Sequence, residues 1–247
     1  MQTDAPPFAL VLFGGIALRG PAPALDRLLI NAKAVGLLAY LALPAVGRFV
    51  RRDALGGLLW PDLDQPRART AVRKTLHAVR QAMGADAVIS RGDEDVALSS
   101  AVVSCDAAAF SAAADSGLLL PALQLYRGEL MPGFHLSDCW EFDRWLEEQR
   151  SAARERASAV AWALAQRLET DQQFSDAAGM ARRSVRFSWS DERALRRAVA
   201  MLDRLGDRAG ALRLFEEFAR RLRMELDIEP SRETLDLASR LRAGAPA

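Results

Sequence analysis

Residues 58–84, LLWPDLDQPRARTAVRKTLHAVRQAMG, decide how the first part of this chain folds. Asp64 is a favourable N-cap, Pro66 is tolerated in a first helical turn, and Gly84 is a typical helix terminator. Together they predict a long helix that ends at about Met83. Its apolar residues recur at the helical period and form one stripe, namely Ala68, Val72, Leu76, Val79 and Met83. This stripe is the face that we expect to pack.

The rest of this helix carries hydrogen-bond donors and cations, and no acidic residue occurs from Gln65 to Ala85. At about 100° per residue, four side chains point away from the core: Arg67, Thr70, Lys74 and His77. Three more line one flank: Arg69, Arg73 and Arg80. Cations suit phosphates, and Arg or Lys suits base edges in the major groove. Arginine-rich faces also occur on ordinary solvated helices, so this helix alone leaves both interpretations open.

The neighbouring elements favour DNA binding. A short helix capped by Asp53 and a turn at residues 61–63 precede the long helix, which is the order of a helix-turn-helix. Behind it, residues 88–90 and 96–98 flank a polar, glycine-containing turn and predict a β-hairpin. This hairpin would be a wing, and Arg91 on it is a further candidate for phosphate contact.

Short apolar runs predict a mixed α and β structure for the remainder of the first part. Phe8–Phe13 is a strand candidate closed by two glycines, and Ile16–Leu18 and Leu25–Ile30 are two further short candidates. Lys33–Leu43 predicts a mostly buried helix, and Phe49–Val50 a brief strand.

The second part is predicted to be entirely helical. Residues 176–180 align with residues 210–214 at an offset of 34, which is the period of tetratricopeptide repeats. Trp140 and Trp145 are interpreted as packing anchors, and Arg150 as part of an ordinary solvated helix face. The predicted fold is therefore mainly α with a small β component. A winged helix-turn-helix over residues 1–104 precedes an all-α, tetratricopeptide-like array over residues 105–247.

Composition excludes several functional classes. The 33 basic and 32 acidic residues give a net charge of +1, which argues against a uniformly basic nucleic-acid coater. Two cysteines, Cys105 and Cys139, are too few for a disulfide scaffold, so we expect a reducing cytoplasm. No apolar run reaches the length of a membrane span. With two His and no catalytic triad, P-loop or paired carboxylates, we predict no enzyme activity, metal or cofactor.

Four blocks in order resemble the SARP family of bacterial transcriptional activators. The blocks are LLWPD at 58–62 with RARTAVRK at 67–74, ALQLYRGELMPG at 122–133, WEFDRWLEEQR at 140–150, and ELDIEPS at 225–231. In that family a winged helix, similar to the output domain of response regulators, precedes a bacterial transcriptional activator domain of tetratricopeptide-like helices. The resemblance spans residues 8–243, and we expect the short, stand-alone form of the family.

The resemblance implies that residues 67–83 are a recognition helix in the major groove of double-stranded DNA. Arg67, Thr70, Lys74 and His77 would then face base edges, while Arg69, Arg73, Arg80 and Arg91 would hold phosphates. It also implies direct repeats read by two protomers, and a helical domain that contacts a second copy, RNA polymerase or a small effector.

Two features depart from the family pattern or from the needs of DNA. The hairpin tip, residues 93–95, is acidic and would repel phosphates. Asp227 stands where the family often has glycine, and aspartate tolerates the left-handed backbone. The alternative function is a tetratricopeptide-like adaptor that binds a protein or small ligand without specific DNA recognition. The acid-free face of residues 65–85 favours the DNA-binding activator.

Overall fold

The structure, a computed structural model, describes residues 5–22, 25–43 and 45–244. Its strands are β1 (Phe8–Val11), β2 (Ala17–Arg19), β3 (Val50–Arg51), β4 (Val88–Arg91), β5 (Asp95–Leu98) and β6 (Val103–Cys105). Its helices are α1 (Leu25–Ile30), α2 (Ala32–Ala42), α3 (Arg52–Leu59), α4 (Gln65–Met83), α5 (Asp106–Asp115), α6 (Leu119–Leu125), α7 (Trp140–Thr170), α8 (Phe174–Phe187), α9 (Glu192–Arg204), α10 (Arg208–Leu226) and α11 (Arg232–Arg242). The fold is mainly helical with a small β component, as predicted.

The chain forms two compact units, Met1–Ser151 and Ala152–Ala247, and the division falls within α7. This division reflects which residues contact one another in the folded chain. The functional division at residue 104 stays a prediction.

The first sheet has the order β2-β1-β6. β1 pairs antiparallel with β2 and parallel with β6, so that Leu10 lies opposite both Leu18 and Cys105. The carboxylate of Asp106, at the start of α5, accepts hydrogen bonds from the backbone N–H groups of Leu12 at 2.8 Å and Phe13 at 3.1 Å. Residues beyond 104 therefore complete the first sheet of the N-terminal unit.

The second sheet is antiparallel, with the order β3-β5-β4. Strands β4 and β5 form the predicted hairpin, with Ser90 opposite Val96. The predicted strand at residues 49–50 is present as β3, and Val50 also lies opposite Val96. Val96, Ala97 and Leu98 are buried, whereas most of β4 is exposed. The hairpin is thus anchored through β5.

The strand predicted at Leu25–Ile30 is wrong, because this segment is the helix α1. Leu25 and Leu28 are buried with Asp26 and Arg27 exposed between them, which is helical rather than alternating spacing. The next helix, α2, is capped by Asn31, whose side chain accepts a hydrogen bond from the backbone N–H of Ala34. Eight of its residues are buried, which confirms the mostly buried helix expected there.

Aromatic rings fill the space between β1 and the helices that follow β6. Phe13, Phe110 and Tyr126 contact one another with ring centroids 4.8–5.5 Å apart. Trp145 packs on Tyr40 at 4.7 Å, as expected of an anchor. Trp140 is not a packing anchor, because it is 63% exposed.

Arg150 holds the segment between α6 and α7. Its guanidinium donates to the carbonyl oxygens of Leu130, Met131 and Phe134 at 2.5–3.0 Å, and the side chain is only 14% exposed. The prediction of a solvated face is therefore wrong for Arg150, since three backbone acceptors replace its water.

The second unit consists of the end of α7 and helices α8–α11 packed in succession. Its core includes Leu195, Leu202 and Phe215. The small residues Ala177 and Ala211, which lie in the two aligned segments, are fully buried. This is the tetratricopeptide-like packing that the 34-residue offset predicts. As expected, Asp227 adopts the left-handed conformation with φ 54° and ends α10.

Candidate nucleic-acid interface

Helix α4 has the caps and the buried face that the sequence predicts. Asp64 Oδ1 accepts a hydrogen bond from the backbone N–H of Arg67 at 2.9 Å, and Gly84 ends the helix with φ 94°. The buried residues are Ala68, Val72, Thr75, Leu76, Val79, Ala82 and Met83. A Cβ on Gly56 of α3 would lie 3.3 Å from Cβ of Ala68, so α3 and α4 pack closely there. The opposite side of α4 is consequently left to solvent.

The side chains predicted to face base edges lie on this solvent side. Arg67, Lys74 and His77 are exposed, and Thr70 is partly buried. Arg67 forms an exposed ion pair with Asp64 at 3.6 Å, while the Thr70 hydroxyl donates to the carbonyl oxygen of Pro66 at 3.0 Å. Lys74 and His77 have no side-chain hydrogen bond or ion pair within the described ranges. Their donors are therefore available to a ligand.

Arg69 is held by Asp53 in a two-bond ion pair. Its Nε and Nη2 donate to the two carboxylate oxygens at 2.7 and 2.8 Å. The hydrogen bond from Arg69 lowers the pKa of Asp53, and the same bond raises the pKa of Arg69. Asp53 was expected to cap the short helix, but α3 begins at Arg52 and has no side-chain cap. Asp53 therefore lies inside the first turn, and both of its carboxylate oxygens bind Arg69, which is 16 residues away.

Arg80 and Arg91 are also engaged within the N-terminal unit. Arg80 Nη2 donates to the carbonyl oxygen of Val88 at 3.2 Å and to Ser90 Oγ at 3.0 Å, which ties α4 to β4. Arg91 donates to Asp95 Oδ2 at 2.7 and 3.2 Å and lies 4.5 Å from the ring centroid of Phe49. Contacts of either arginine with phosphate stay a prediction.

A cleft of about 350 Å³ lies beside α4, and we call it the arginine cleft. Its lining residues are Arg51, Arg52, Asp53, Arg69, Thr70, Arg73, Asp93 and Glu94. Arg73 makes no ion pair or side-chain hydrogen bond with other described residues. Arg51 and Arg52 were not among the residues predicted to bind DNA, although two consecutive arginines at the start of α3 were a visible signal.

The two cysteines are free and buried. Burial raises the pKa of the Cys105 thiol to about 11, so it carries almost no thiolate at neutral pH. Among the residues that the structure describes, no group of three His, Cys, Asp or Glu side chains is arranged to hold a metal ion. Nor does any helix in those ranges combine the length and apolar character needed to cross a membrane.

Residues 101–242 match the family model of the bacterial transcriptional activator domain. This chain belongs to that family. The match covers more than half of the chain and runs from just before β6 to the last residue of α11. It contains three of the four sequence blocks and confirms the resemblance to this family, which is one of transcriptional regulators rather than a class of enzymes.

Comparison with solved structures shows the same fold in a second protein. Mycobacterium tuberculosis EmbR, in a complex with a low affinity phosphopeptide, matches with a TM-score of 0.63 and 18% identity. The alignment covers 98% of this chain and 66% of that one, so this chain spans about two thirds of the length of EmbR. At this identity the likeness concerns the fold alone. The comparison with curated proteins finds no match.

Proposed function

We propose that this chain is a sequence-specific, DNA-binding transcriptional activator. In this proposal residues 1–104 are a winged-helix domain of the response-regulator output type, with α4 in the major groove. Residues 105–247 serve activation, dimerisation or regulatory contacts. The observation that carries the proposal is the solvent face of α4, where Lys74 and His77 offer donors that have no partner among the described residues.

The arrangement of donors around α4 suits a DNA duplex. Arg67, Thr70, Lys74 and His77 share the solvent side, which is where base edges would lie if the buried stripe faces the protein. Arg69 and Arg73 lie on the flank that lines the arginine cleft, where phosphates of the backbone would lie. Arg80 and Arg91 already bind acceptors within the protein, which they would either keep or exchange for phosphate. We therefore expect them to contribute less to DNA affinity than the arginines that line the cleft.

We propose the partners of this function from the family to which the chain belongs. Double-stranded DNA is the ligand, and two protomers side by side would read direct repeats as a homodimer. RNA polymerase is the partner for activation, which places the protein in the bacterial cytoplasm. We propose no catalytic role, metal or cofactor.

The test is the variant Lys74→Ala, measured on a duplex that the unaltered chain selects from a random pool. If Lys74 reads a base, the variant loses about 1–3 kcal/mol of binding free energy, or about 5- to 150-fold in affinity. On an unrelated duplex of equal length the loss is much smaller, because only one exposed charge is removed. Fluorescence anisotropy titrations measure both affinities.

Arg220→Ala is the matched control, since it removes one positive charge from an exposed position on α10. It leaves discrimination between the two duplexes unchanged. If Lys74→Ala behaves like this control, Lys74 does not read a base. If no duplex is selected at all, the adaptor function replaces the activator.

A further inference from the structure

The acidic tip of the β4–β5 hairpin lies at the arginine cleft. Arg51 Nη2 forms an ion pair with Glu94 Oε2 at 3.1 Å. The backbone N–H of Arg52 donates to the carbonyl oxygen of Glu94 at 2.7 Å, which fixes the tip beside the start of α3. Asp93 lines the same cleft. Three elements, β3, α3 and α4, thus contribute arginines to a cleft that the hairpin tip closes with carboxylates.

We propose that the arginine cleft binds a phosphodiester of the DNA backbone, and that the Glu94 carboxylate competes with this phosphate in the free protein. The proposal rests on the proposed function, because it assumes that α4 docks on a duplex. It assigns new roles to Arg51 as a backbone ligand and to Glu94 as a residue that limits affinity.

The chemistry of the cleft supports this competition. Carboxylate and phosphate oxygens are alternative acceptors for the same guanidinium fork. Arg69 is already committed to Asp53 through two hydrogen bonds, whereas Arg51 has Glu94 as its ion-pair partner. The side chains of Arg51 and Glu94 are 64% and 68% exposed, so water screens their attraction and a phosphate can replace it.

The rest of the hairpin offers DNA no compensating charge at its tip. Arg91 is paired with Asp95 and stacked near Phe49. A duplex bound at the arginine cleft therefore lies beside the carboxylates of Asp93 and Glu94 as well as the guanidinium groups of Arg51 and Arg73, and the carboxylates are a barrier to its phosphates. Such a barrier acts on every sequence equally, because phosphates carry no sequence information. Glu94 consequently lowers non-specific affinity and leaves discrimination to the base-facing side of α4.

The experiment measures binding of the full chain and its Glu94→Gln variant to the selected duplex and to an unrelated duplex of equal length. We expect Glu94→Gln to raise affinity for both duplexes by about 3- to 10-fold. The slope of log affinity against log salt becomes steeper by about one, as for one additional phosphate contact. In an Arg51→Gln background most of this gain disappears, because the freed guanidinium is absent.

Glu141→Gln is the control, since it removes the same charge from an exposed position at the start of α7. If Glu94→Gln gives no gain, or only the gain of Glu141→Gln, the competition is refuted while DNA binding by the unaltered chain stands. If the unaltered chain binds neither duplex, the proposed function fails and this inference fails with it. Thermal melting shows whether each variant is folded before its affinity is compared.

Discussion

The stability of the second unit depends on the ionised carboxylate of Glu192. Its carboxylate accepts hydrogen bonds from the backbone N–H of Ser231 at 3.0 Å and from the hydroxyls of Ser231 and Thr234. Burial raises its pKa, but these hydrogen bonds and the charge of Arg196 outweigh burial, so the pKa lies below its ordinary value. The ionised carboxylate therefore holds the start of α11 against α9.

A lowered pKa gives a stability that depends on pH in a defined direction. The contribution of Glu192 is fully present above the ordinary glutamate pKa of 4.5 and is lost as the pH falls through the lowered value. We expect Glu192→Gln to lower the free energy of unfolding at pH 7 by about 1–3 kcal/mol. The difference from the unaltered chain shrinks below about pH 4. Urea unfolding over this pH range measures it.

Glu233→Gln serves as the control, because Glu233 pairs with the same Arg196 at 3.1 Å but is 74% exposed. Its effect on stability is expected to be small at every pH. A loss in Glu192→Gln that does not change with pH would show that the carboxylate charge is not what stabilises this corner.

At the residue scale, the sequence predicts which way a side chain points better than it predicts which residue that side chain contacts. The stripe on α4 and the outward direction of Lys74 follow from the helical period, and both are observed. The Asp53–Arg69 pair joins residues 16 apart, and Arg150 binds carbonyls 16–20 residues away. Contacts of this kind depend on how elements pack, so no local pattern could have revealed them.

Among the elements, β6 shows why the first folded unit extends beyond the functional boundary predicted at residue 104. Its parallel partner is β1, and the two are separated by about the length of the predicted DNA-binding domain. Periodicity finds short strands such as β1 but cannot say which distant strand pairs with them. The sequence therefore predicts the hairpin β4–β5, whose strands are neighbours, and misses the pairing of β1 with β6.

This pairing predicts where the chain can be cut. A fragment ending at Ser104 loses Cys105 of β6, the Asp106 carboxylate and the ring of Phe110 that packs on Phe13. We expect it to unfold without a cooperative transition, whereas a fragment ending at Ser151 melts cooperatively. Thermal unfolding followed by circular dichroism compares the two. A cooperative transition in the shorter fragment would mean that β1 does not need β6.

At the scale of the whole molecule, the net charge says little about DNA binding until it is known which charged side chains form ion pairs with one another. The total is +1, with +3 on residues 1–104 and −2 on residues 105–247. Many arginines of the second unit are paired, as Arg204 is with Glu169 and Arg223 is with Glu229. Around α4, Arg73 and Lys74 make no ion pair with other described residues, so their charges are available to a duplex. Modest affinity for arbitrary DNA is the expected consequence.

The most direct test of DNA reading by α4 is selection by the unaltered chain from a pool of random duplexes, followed by sequencing. The account predicts enrichment of one short motif, present as two half-sites in direct orientation, with binding that weakens as salt rises. A recovered pool as random as the starting pool would contradict it.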